Sequence, residues 1–112
     1  MKPEIRRLLR KSTLAIKILR FLSDEQEYYT SEIARKLHTD VSNITYCITG
    51  HNKRYRLSLL DLRLIQTREL HNYKYYSITP YGKEVIKEYI EILKNMQHNV
   101  LMTSIFSSKE VK

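Results

Sequence analysis

Apolar residues recur at intervals of three and four along the first half of this chain. "PEIRRLLRKSTLAIKILRFLS" places Ile5, Leu8 and Leu9, then Leu14, Ile18, Phe21 and Leu22, on a helical period with one buried face. Pro3 suits a first helical turn and Ser12 can cap a second helix, so the pattern predicts a break near Ser12. "SDEQEYY" ends the helix in polar residues, with Tyr28 and Tyr29 expected as a short extended piece. In "TSEIARKLHTDVSNITYCI", Thr30 is the expected N-cap of a helix carrying Ile33, Ala34 and Leu37 and stopping around His38 and Thr39. Asp40 is then placed to cap another helix, with apolar positions Val41, Ile44, Cys47 and Ile48.

Two short helices with so tight a link must pack at a steep angle, which is the helix-turn-helix arrangement. Downstream, "LLDLRLIQTRELHNYKYYSITPYGKEVI" reads as a helix end, a strand, a turn at His71 and Asn72, a tyrosine-rich strand and a new helix. Alternation points Tyr76 and Ile78 inward. Between Ile48 and the leucines Leu57, Leu59 and Leu60 lies "TGHNKRYR". Gly50 weakens a helix by about 1 kcal/mol relative to alanine, so the helix is expected to bend or stop there before a second short helical segment.

The order of these pieces resembles the winged helix-turn-helix transcription factors over about residues 12–95. Counting from Ala34, Leu37 falls at +3, the turn at +4 to +6, Ile44 at +10 and Ile48 at +14. Ala34 stands where a larger side chain would push the two helices apart. The family's second wing strand closes with an aromatic, an aliphatic, a threonine and a glycine, matched here by Tyr76, Ile78, Thr79 and Gly82, with Thr79 as N-cap and Pro80 at the first helical position. His38 and Thr39 replace the family's usual glycine and aliphatic residue. Arg63 stands before "LI" where a left-handed glycine is usual, so a different helix ending is expected there. Against this family "TGHNKRYR" looks like an insertion. The resemblance implies a mainly α fold with a small β-hairpin (α+β), a winged helix-turn-helix over residues 1–96 with a long C-terminal helix. Residues 97–112 form a tail that could be helical and join a dimer.

Charge adds a partner to this picture. The 112 residues carry 20 Lys and Arg against 12 Asp and Glu, a formal charge of +8, which attracts polyanions. Residues 1–20 hold seven bases and one acid, residues 21–41 two and five, residues 42–76 six and two. Two basic regions flanking an acidic one suggest surfaces facing a polyanion rather than a disordered tail. No apolar run approaches the roughly 20 residues of a membrane span and there is no signal-peptide pattern, so a cytoplasmic protein without membrane contact is expected. The single Cys47 fits a reducing compartment.

The second helix of the pair presents Ser42, Asn43, Thr45, Tyr46 and Thr49 opposite Ile44, Cys47 and Ile48. Hydroxyls and amides can read base edges in the major groove, and no acid lies within residues 41–60. His51, Lys53, Arg54 and Arg56 are the candidates for flanking phosphates, and Arg68, Tyr73 and Lys74 for contacts from the wing. Each set has a plainer reading as a solvated face.

In "YGKEVIKEYIEILKNM" the apolar residues Val85, Ile86, Tyr89, Ile90, Ile92, Leu93 and Met96 spread over more than one stripe. Ile86, Ile90 and Leu93, continued by Gln97 and Val100, resemble a coiled-coil seam and predict a homodimer. Two-fold symmetry would set two recognition helices on successive turns of DNA.

Enzymatic chemistry finds no support. There is no Gly-rich phosphate loop, HExxH, CxxC or nucleophile elbow, and the four histidines show no ligand spacing. No cofactor is expected, and Cys47 reads as a structural thiol. The expected function is sequence-specific binding of double-stranded DNA by a regulator similar to compact archaeal and bacterial winged helix factors, the Lys, Ile and Tyr bias pointing to the archaeal kind. Alternatives are a winged helix used as a protein interaction module of the transcription machinery, and a binder of structured RNA.

Overall fold

Ser12 divides the amino-terminal pattern into two helices. In the computed structural model, which describes residues 1–50 and 58–111, the last of these from 97 onward as helical backbone, α1 spans Pro3–Lys11 and α2 spans Thr13–Phe21. The Ser12 hydroxyl accepts from the Ala15 amide at 3.1 Å, the cap that starts α2. Ile5 and Leu9 of α1 are fully enclosed, as are Ala15, Ile18 and Leu19 of α2. Leu14 and Phe21, on the stripe expected to be innermost, are half-buried instead. A 3-10 turn, Leu22–Asp24, closes the pair.

The extended piece at Tyr28 is a single antiparallel bridge to Tyr76, with both backbone bonds made, Tyr28 N–H to Tyr76 O at 3.0 Å and Tyr76 N–H to Tyr28 O at 2.7 Å. Two helices follow, α3 (Thr30–Lys36) and α4 (Val41–Thr49). The N-cap of α3 is Tyr29, one residue earlier than expected at Thr30, because the Glu32 carboxylate reaches back to the Tyr29 amide at 3.1 Å. Asp40 does occupy the N-cap position of α4, but its carboxylate makes no capping bond.

After residues 51–57, which lie outside the described residues, the chain re-enters at Ser58 and reaches the hairpin of β1 (Ile65–Leu70) and β2 (Tyr73–Ile78). The strands pair antiparallel from Ile65 opposite Ile78 to Leu70 opposite Tyr73. His71 and Asn72 both take positive φ, 51° and 66°, the backbone a two-residue turn of this twist requires. Tyr76 and Ile78 point into the core, as their alternation predicted. The second helical segment expected here is a single turn. Ser58 and Asp61 exchange side-chain and amide hydrogen bonds at 3.1 Å as if to start a helix, and the turn is closed at once by Leu64 N–H to Leu59 O and Arg63 N–H to Leu60 O. That six-to-one and five-to-two pair is a Schellman closure with Arg63 left-handed at φ 59°. The expected departure from the glycine geometry at Arg63 is therefore absent: the arginine adopts it.

The last helix, α5 (Pro80–Val111), spans 32 residues, so the tail after residue 96 continues it. Its start is tightly fixed. The Thr79 hydroxyl accepts from the Gly82 amide at 2.9 Å and donates toward the carbonyls of Arg63 and Leu64, at 2.7 and 3.1 Å. A methyl at Gly82 would sit 1.9 Å from the Leu64 carbonyl oxygen, so only glycine allows α5 to approach the base of the wing. Val85, Ile86 and Tyr89 then complete the core below the sheet. Ile86, expected on a dimer seam, is 2% exposed within its own chain and is not free to meet a partner; Ile90 and Leu93 are half-buried beside it.

Gly82→Ala should lower stability by about 3 kcal/mol, the upper end of what overpacking costs, read as a fall in the urea midpoint. Arg63→Gly should do the reverse, adding about 0.5–1 kcal/mol as a left-handed side chain is removed and part of the gain is lost to unfolded-state entropy.

Candidate nucleic-acid interface

Two buried isoleucines decide which way α4 faces. Ile44 and Ile48 are fully enclosed, Ala34 is 3% exposed across from them, and Leu37 is half-buried. The turn between α3 and α4 is a second Schellman closure, Thr39 N–H to Ala34 O at 3.0 Å and His38 N–H to Arg35 O at 3.4 Å, with His38 left-handed at φ 55°. As at Arg63, a non-glycine residue occupies the glycine conformation, and the helices keep the spacing read from the sequence.

With that side fixed, Ser42, Asn43, Thr45 and Tyr46 are exposed and Thr49 is half-buried. All five line one shallow open concavity of about 430 Å³, with Gly50 at its end. Two of them are oriented by local bonds. The Asn43 amide nitrogen donates to the Thr39 hydroxyl at 3.1 Å, four residues back across the turn. The Thr49 hydroxyl donates to the Thr45 carbonyl at 2.7 Å, which leaves it an acceptor toward anything outside. Thr39 is not among the contact candidates read from the sequence, although a Thr–Asn pair four apart astride a helix start was the available signal. Val41, expected on the apolar face, is 44% exposed in the first turn of α4. Only two further apolar positions fit fully beneath so short a helix, so the first of the series is left outside.

The carboxyl end of α4 is completed from elsewhere in the chain. Gly50, at φ 79°, ends the helix with its amide on Tyr46 O at 2.8 Å. The carbonyls of Cys47 and Ile48 then accept from the amides of Leu59 and Leu60 at 3.3 and 3.1 Å. The helix is thus terminated by the segment that follows "HNKRYRL", and the candidate residues His51, Lys53, Arg54 and Arg56 lie outside the described residues, between two fixed points.

In the wing, Tyr73 is 61% exposed and Lys74 is exposed opposite Glu69. Arg68 is paired within the chain, at its surface. Its guanidinium holds Glu27 with two bonds of 2.9 and 2.8 Å, which keeps the Glu27 carboxyl below its ordinary range through the hydrogen bond first and the nearby charge second. The wing is thereby tied to the strand piece before α3, and a phosphate meets Arg68 only in competition with Glu27. Tyr29 joins this outer face, with its ring 6.3 Å from Tyr73 and 5.7 Å from Tyr75.

The family of the chain follows from comparison with known sequences: the EarA-like family model matches residues 5–89. The chain belongs to the EarA-like family. An uncharacterised protein of Methanocaldococcus jannaschii is 37% identical over 103 residues, 88% of this chain and 89% of its own. Among solved structures, a transcriptional regulator homologue from Pyrococcus horikoshii is similar with a TM-score of 0.68 at 18% identity, covering 88% of this EarA-like chain and 98% of that one. A single-residue mutant of Lactococcus lactis ZitR is similar with a TM-score of 0.55 at 20% identity, covering 77% of this chain and 55% of that one. The fold that this EarA-like chain shares with those proteins is the winged helix-turn-helix. Among the described residues no helix is long and apolar enough to cross a membrane, and no group of His, Cys, Asp and Glu could hold a metal ion.

Cys47 lies on the inner side of α4, half-buried against the Ser12 hydroxyl, and burial pushes its thiol up to about 11. Because the folded value lies above the ordinary 9.0, the thiol's contribution to stability is complete below pH 9 and is lost as pH rises toward 11. At pH 8 iodoacetamide should alkylate the native protein about 100-fold more slowly than the urea-unfolded chain, the ratio of thiolate fractions for a shift of this size. Mass spectrometry over time reads it.

Proposed function

We propose that this protein is a sequence-specific, double-stranded DNA-binding transcriptional regulator that lays α4 in the major groove. The observation that carries the reading is the outer face of α4, where Ser42, Asn43, Thr45, Tyr46 and Thr49 share one open surface without an acidic residue. Base edges in the major groove offer the donors and acceptors that such side chains match, and asparagine can take adenine with two bonds. Val41, exposed at the amino end of the helix, suits a thymine methyl. Lys53, Arg54 and Arg56, with His51, are assigned to the flanking phosphates, as are Lys74 and Tyr73 of the wing. Arg68 is secondary in this role, since Glu27 already holds it.

The regulator acts as a homodimer through α5. Ile86 is taken up by the chain's own core, so the seam starts at Ile90 and Leu93 and follows the helix outward. A two-fold pair would set two α4 helices about 34 Å apart along the duplex. The likeness in fold to transcriptional regulators supports the general reading.

Selection from random duplexes at several salt concentrations tests it, using wild type, Asn43→Ala and an Arg54→Ala, Arg56→Ala double variant. Wild type should recover a palindrome with half-sites one helical turn apart and weaken steeply between about 50 and 200 mM salt. Asn43→Ala should lose about 1–3 kcal/mol of discrimination at one position. The double variant should keep the preference with a salt slope smaller by about 1.8. A wild type that enriches no sequence and ignores salt would sink the reading.

A further inference from the structure

The exposed face of α1 and the residue before it carry five cations that the interface described above leaves unused. Lys2, Arg6, Arg7, Arg10 and Lys11 are all exposed, and none forms an ion pair among the described residues. At about 100° per residue Arg6 and Arg10 make one row and Arg7 and Lys11 the row beside it, both turned away from Ile5 and Leu9, which are buried. Glu4 is the helix's only acid. Arg10 and Lys11 in the last turn complement the helix dipole. Arg6 and Arg7 have no such account, and like charges four apart weaken a helix.

Solubility does not explain the arrangement, because the same chain builds a soluble helix face differently. From residue 80 to 96, α5 exposes Lys83, Glu84, Lys87, Glu88, Glu91 and Lys94, three of each sign and interleaved. The face of α1 sets four bases against the single acid Glu4 and is rich in arginine, whose planar fork matches phosphate oxygens in pairs. Its position is also fixed. The residue that ends α1, Ser12, stands beside Cys47 in the last turn of α4, so the basic rows begin near the carboxyl end of that helix, on its inner side, and run away from it for about 14 Å.

We infer that the basic face of α1 is a second phosphate-binding surface, gripping the duplex backbone that flanks the segment contacted by α4. This rests on the DNA-binding reading above. It extends the footprint of each protomer beyond the helix-turn-helix and wing, and it supplies affinity that carries no base preference.

The full chain is compared with two double variants of equal charge change, Arg6→Gln with Arg10→Gln on α1, and Lys83→Gln with Lys87→Gln on α5, both before the seam that starts at Ile90. All four side chains lie on solvated helix faces, so melting temperatures should match wild type within a few degrees. On a selected duplex with about ten extra base pairs on each flank, the α1 variant should bind about tenfold more weakly at about 100 mM salt, with a salt slope smaller by about 1.8. The α5 variant should retain the wild-type slope. On the duplex trimmed to its core, the difference between wild type and the α1 variant should disappear. Equal slopes for the two variants on the long duplex would overturn the α1 proposal while leaving DNA binding intact. A wild type that binds no duplex at any salt would instead overturn the reading beneath it.

Discussion

The amides of Leu59 and Leu60 on the last carbonyls of α4 are the constraint from which the rest of the molecule is organised. A helix end buried without partners is costly, and here the chain supplies those partners itself after an excursion of several residues. The same two leucines start the turn that Arg63 closes. Leu64, next in line, accepts the amide of Thr79 and so sets the base of the wing against the start of α5. The helix α4, the wing and α5 are thus fastened through one short stretch of backbone, residues 58–64, and Gly82 is the residue that lets the last of them approach.

That arrangement separates two tasks along α4. Its inner side, Ile44 and Ile48 against Ala34, holds the helix pair together, which frees the outer side from any packing duty. Its carboxyl end is completed by the amides of Leu59 and Leu60 in place of a continuing helix. The charge distribution agrees. Along the exposed face of α5 the chain interleaves signs, whereas the outer face of α4 carries no acid.

His38 and Arg63 show how little the turn chemistry depends on glycine when the closure is strong. Each sits at positive φ with two backbone bonds that fix it, and each carries a side chain that glycine would lack. Glu25, His71 and Asn72 share the conformation. Local strain of this kind is tolerable where hydrogen bonds determine the backbone on both sides.

Much of this was legible in the residues alone. Periodicity of three and four located the helices, the hydroxyl of Ser12 marked the break between the first two, and alternation sent Tyr76 and Ile78 inward, because these features are local and act through the nearest turn of chain. The outer face of α4 was legible for the same reason. What the residues could not disclose was who packs against whom. Ile86 fits a dimer seam by spacing and is consumed by its own core. Val41 continues an apolar series and is left outside. Arg68 looks like a free cation until Glu27, 41 positions earlier, is brought beside it. In each case the decisive neighbour is distant along the chain, and a one-dimensional pattern records the period of a face but not the surface it meets.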